Sequence, residues 1–132
     1  MNWRTIFRWL LVLFYGVAGV LHLAKPGPFL SIMPPFVPAP ETVVALTGIA
    51  ELLGAAGLAQ PWSKRLRAAA GIGLAVYALC VWPANVNHMF IDLAKSDGLN
   101  LAYHIPRMFA QPVLIWLALW AGGATDWPFR RR

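Results

Sequence analysis

Seven residues with chemically capable side chains stand inside stretches that are otherwise apolar: His22, Glu51, Asn85, Asn87, His88, Arg107 and Gln111. A carboxyl group beside imidazoles can exchange protons. A guanidinium with nearby amides can hold an anionic or carbonyl oxygen. Glu51 is therefore the candidate proton carrier, and the other six are candidate ligand-binding residues. Helical spacing groups them by face, at 100° per residue. Tyr15, Ala18, Gly19 and His22 share one face. Thr47, Gly48, Glu51, Gly54 and Ala55 share a second. Tyr77, Val81, Asn85, His88 and Asp92 share a third, and Arg107 and Gln111 lie one turn apart. Asn87 falls off its face in an ideal helix, but Pro83 removes a backbone hydrogen bond and invites a kink.

Each residue also has a plainer role. Glu51 in an apolar setting needs a proton or a cationic partner, and Arg107 or a histidine would serve. The sharper reading makes it a proton donor or acceptor tuned by desolvation. His22 and His88 fit interfacial hydrogen bonding. They fit ligation of a metal or haem less well, because two histidines on different helices lack the usual local ligand spacing. No metal is assigned. Asn85 and Asn87 can cap a helix and satisfy carbonyls freed by Pro83. Arg107 can snorkel to an interface, or bind a carbonyl alongside Gln111. Asp92, Asp97 and His104 read as a solvated loop. Ionisable groups at one depth on several helices are more than a small bundle needs for cohesion, so a functional pocket is the expected use.

The elements that must position these groups are membrane helices. The chain has 132 residues, 59% apolar and only 12% charged, with a mean hydropathy of +0.59. Soluble domains carry about 25% charged residues. The net charge of +6 does not imply nucleic acid, because the basic residues punctuate apolar runs and form no stripe. Cys80 is the sole cysteine, which excludes an intrachain disulfide and a CxxC redox pair; it reads as a small buried hydrophobe.

Spans are expected at 7–24, 41–60, 68–91 and 107–122 of a single membrane domain. The first resembles a signal peptide in its basic start and apolar middle, but His22 and the later spans favour a retained helix. The segment 25–40 holds six prolines, too many for a long helix, yet it stays apolar. It is expected to lie in the interface or fold over the bundle mouth. A polar connection, 92–106, precedes the last span.

Eight basic residues (Arg4, Arg8, Lys64, Arg65, Arg67 and the three terminal arginines) fall on one side, and Lys25, Lys95 and Arg107 on the other. Positive-inside counting puts both termini in the cytoplasm. The expected fold is thus all-α: an integral membrane antiparallel four-helix bundle, N-in and C-in, crossing the inner (cytoplasmic) membrane of a cell.

The first helix ending in His22, Met33-Pro34-Pro35, Gly48-Ile49-Ala50-Glu51-Leu52-Leu53-Gly54, Pro83-Ala84-Asn85-Val86-Asn87, Pro106-Arg107 and Gln111-Pro112 occur here in that order. Together they resemble the DoxX-like family of small bacterial membrane proteins, over roughly Leu10 to Trp120. The resemblance implies a four-helix membrane protein, in some relatives a subunit of a quinone-linked or thiol-linked oxidoreductase system. With no cysteine pair, a thiol role here would need a partner protein. The leading expectation is an accessory or quinone- or lipid-binding subunit linked to redox metabolism, with quinone as the cofactor to test. A membrane assembly or chaperone module and a lipid-modifying acid–base enzyme stay open. The partners expected are the lipid bilayer and a membrane or redox protein, with room for a homo-oligomer and no nucleic acid.

Overall fold

The computed structural model describes residues 2–130, and over that range the chain is helical, with no strand. The helices are α1 (Trp3–Ala24), α2 (Gly27–Ser31), α3 (Pro40–Ala59), α4 (Lys64–Leu93) and α5 (Leu101–Gly122). Arg131 and Arg132, two of the residues in the basic count, lie outside the described range. Local chemistry fixes the starts of three helices. Asn2, Ser63 and Asn100 each turn a side-chain oxygen onto a backbone N–H of the first turn, at 2.9, 3.1 and 3.0 Å.

Three helices, α1, α3 and α4, are long and apolar enough to cross a membrane. The expected fourth span is part of α5, where Arg107 and Gln111 lower the apolar content. Three helices begin four or more residues earlier than expected, α1 at Trp3 rather than at 7 among them. α4 is longer than 68–91, running on through Pro83. α5 begins at Leu101 rather than at 107, because Asn100 caps it and Pro106 is carried inside the helix at the loss of one backbone bond.

α1 packs along α3 and α4 along α5; α3 meets α4, and α5 closes back on α1. The solvent logic of a water-soluble protein is inverted. Leu13, Val17, Leu53, Val76 and Phe109 face outward, Phe109 with 72% of its surface exposed. Glu51, Asp92, His104 and Gln111 are buried. Apolar outside and polar inside is the arrangement that lipid selects. Cys80 departs from expectation: it is exposed on the isolated chain.

Close helix contacts run through glycine. A methyl group on Gly48 would stand 2.8 Å from His22 Cβ and 3.1 Å from the Gly19 carbonyl. One on Gly71 would stand 2.5 Å from the Ala118 carbonyl, where α4 meets α5. Such contacts allow backbones to approach without side chains between them. Gly71→Ala should therefore destabilise the fold by about 1–3 kcal/mol, seen as a lower thermal midpoint in detergent. Gly73→Ala, whose methyl group would meet nothing within 4 Å, should leave that midpoint unchanged.

Candidate functional site

The helices enclose a cavity of about 620 Å³. Most of its wall is apolar, including Phe14, Val44, Val81 and Leu114, with the proline-rich segment contributing Phe29, Ile32, Met33 and Val37. Five of the seven expected residues line it: His22, Glu51, Asn85, Arg107 and Gln111.

Glu51 is only 3% exposed. The Tyr77 hydroxyl donates to its Oε1 at 2.7 Å. Tyr15 packs edge-on against Tyr77, ring centroids 6.1 Å apart. His22 Nδ1 stands 2.8 Å from Glu51 Oε2 and also 2.8 Å from the Ala18 carbonyl. The N–H aligns with the carbonyl, so Glu51 Oε2 has no hydrogen bond of its own. Of the partners expected for Glu51, the structure supplies the histidine and not Arg107. A carboxyl oxygen without a donor, next to an imidazole nitrogen, is a place where one proton can be taken up or passed on.

Arg107 lies on the α4 side of the cavity. It donates to Asn85 Oδ1 at 2.7 Å and to His88 Nδ1 at 2.8 Å, and its guanidinium sits 5.4 Å over the Tyr103 ring. These direct partners are neutral acceptors, which leaves the guanidinium able to take an additional oxygen. Gln111 donates to the Ala78 carbonyl at 2.8 Å and so ties α5 to α4 five residues before Pro83. Asn85 and Asn87, expected to cap the helix and satisfy carbonyls freed by Pro83, pair instead with Arg107 and with the Ile32 carbonyl.

Two expected ligand-binding residues are not on the cavity wall. Asn87 donates to the Ile32 carbonyl at 2.9 Å and so fastens the proline-rich segment to α4. Phe29 of α2 stacks on His22 at 3.7 Å between centroids, and together these contacts hold that segment over the cavity. His88 instead joins a cluster that the sequence reading placed in a solvated loop. Asp97 is exposed as expected, but Asp92 and His104 are buried, His104 completely. Asp92 Oδ2 lies 3.0 Å from His88 Nε2 and 3.0 Å from His104 Nε2. The signal that could have found His104 was Asn100, a good helix cap four residues earlier.

The chain belongs to the family described as Domain of unknown function (DUF8561), whose profile matches residues 11–122. That stretch includes every residue of the cavity wall and of the His88–Asp92–His104 cluster. No curated protein and no solved structure matches the chain.

Removing the Tyr77 hydroxyl tests the carboxyl environment. Tyr77→Phe deletes one donor to a buried acid and should cost about 1–3 kcal/mol. The check is the thermal midpoint of the purified protein, with Tyr103→Phe as the exposed-tyrosine control.

Proposed function

We propose that this protein is a small multi-pass subunit of the inner membrane that binds the head group of a quinone-like lipid in the central cavity, in association with redox metabolism. The observation that carries this reading is the cavity's composition. An apolar chamber of about 620 Å³ holds two separated polar groups, Arg107 with Asn85 and Gln111, and Glu51 with His22 and Tyr77. Ligand sites of this size are mostly apolar with a few placed polar groups. A head group with two oxygens would accept a hydrogen bond from Arg107 at one end. At the other it would meet Glu51, where His22 and the carboxyl can exchange a proton with it. Its apolar tail would leave toward the surrounding lipid.

In this reading the four long helices form an antiparallel bundle with both termini cytoplasmic. α5 completes the set of spans, and its polar turn around Arg107 faces the cavity. The basic residues Arg4, Arg8, Lys64, Arg65 and Arg67 sit at the cytoplasmic end. Reporter tags at the two termini read out this orientation directly. The resemblance of its motifs to those of DoxX-like proteins is what suggests redox chemistry for the pocket. A redox partner protein would supply the electrons, since the chain has no cysteine pair.

Titration of protein in nanodiscs with a short-chain ubiquinone analogue tests the reading. Saturable binding at one site per chain is expected. Arg107→Gln should weaken it about tenfold, the loss of roughly one charged hydrogen bond. Glu51→Gln should retain binding but lose proton uptake on reduction of the bound quinone. Binding that is absent, or equal in all three proteins, would contradict the proposal.

A further inference from the structure

Outside the cavity, at the end of α4 and the start of α5, three potential metal ligands converge. His88 and Asp92 lie four residues apart on α4, and His104 reaches them from α5. One ligand atom from each falls within 4.8 Å of the others. A tight return brings them together. Gly98 passes so close to Asp92 that a methyl group there would collide with the Asp92 carbonyl. Asn100 then starts α5 and sets His104 over the carboxylate. We infer that His88, Asp92 and His104 form a binding site for a divalent first-row transition ion of the zinc class.

Several features favour this. Two imidazoles and one carboxylate are a donor set that suits such ions and leaves positions open. Donors about 2.1 Å from one ion and roughly 90–110° apart stand about 3.0–3.4 Å from each other. Asp92 Oδ2 is 3.0 Å from each Nε2, so the carboxylate oxygen is spaced from each imidazole as an adjacent ligand would be. His104 is fully buried, and its Nε2 faces only the carboxylate and the other imidazole. One histidine donor would satisfy a buried aspartate; the second gives the set its ligand count. The ion enters from the side of His88, which keeps part of its surface open.

One contact works against the ion, and it links the site to the cavity. Arg107 donates to His88 Nδ1 at 2.8 Å, which keeps the His88 proton on Nε2. An ion on Nε2 requires that proton on Nδ1, where it faces another donor. Metal binding therefore releases Arg107 from His88 and leaves the guanidinium with Asn85 at the cavity wall. The site does not depend on what the cavity binds, and quinone binding can fail without affecting it.

The test is zinc binding to protein purified through a tag without histidine, stripped with chelator, and followed by calorimetry and elemental analysis. One zinc per chain is expected. It should be lost in Asp92→Asn and in His104→Gln and kept in His22→Gln. Arg107→Gln should bind zinc severalfold more tightly, because it removes the competing donor and a nearby positive charge. Since the buried variants can fail to fold, cobalt substituted into the wild-type protein gives a second measurement. Visible absorption bands of a low-symmetry nitrogen and oxygen site support the assignment. Absence of stoichiometric zinc in the wild type, zinc retained by Asp92→Asn, or cobalt with only its aqueous spectrum would overturn it.

Discussion

A carboxyl group in the middle of an apolar helix is tolerated only if its oxygens are answered at close range, and Glu51 sets that demand for the rest of the molecule. Isolated burial of the charge would be prohibitive. Tyr77 of α4 answers one oxygen with a hydrogen bond, and His22 of α1 stands beside the other without bonding it. For His22 to reach, α1 and α3 must approach until Gly48 lies against the His22 Cβ, which no larger residue permits. The small residues of α3 and the polar residue they surround are thus one design. The tight packing brings the partners in, and the partners make the buried acid affordable. What is left over is a single carboxyl oxygen without a hydrogen bond, at the edge of a chamber large enough for a ligand.

The positive charge is handled differently. Arg107 is half-buried, touches amide and imidazole acceptors, and reaches Asp92 only through His88. The guanidinium's charge is therefore balanced across a ring and not by direct contact. A chain of side chains runs from Asn85 through Arg107 and His88 to Asp92 and His104. Whatever changes the proton position on His88 changes what Arg107 can offer the cavity. The proline-rich segment closes the chamber from the other direction, held by Asn87 and by the stacking of Phe29 on His22.

Much of this was legible in the sequence because hydropathy and helical spacing are local. The three apolar runs marked α1, α3 and α4, and the 100° rule put His22, Glu51, Tyr77 and Asn85 on inward faces. Tyr77 shares the face of Asn85 and His88, but nothing local says which carboxylate a hydroxyl will meet. Asn87 pairs with a carbonyl in an irregular segment that has no period to read. The largest miss came from one residue: Pro106 looks like a helix boundary, yet it sits inside α5 behind the Asn100 cap. Moving that boundary from 107 to 101 turns His104 from a loop residue into a buried one and brings Asp92 inside with it.

The central claim is that the Glu51 carboxyl responds to what occupies the cavity. Infrared difference spectroscopy reads this directly, comparing protein in lipid before and after addition of a short-chain quinone. The account predicts a carboxyl band that shifts with isotope-labelled glutamate and disappears in Glu51→Gln. A difference spectrum with no glutamate carboxyl signal, or one unchanged in Glu51→Gln, would contradict it.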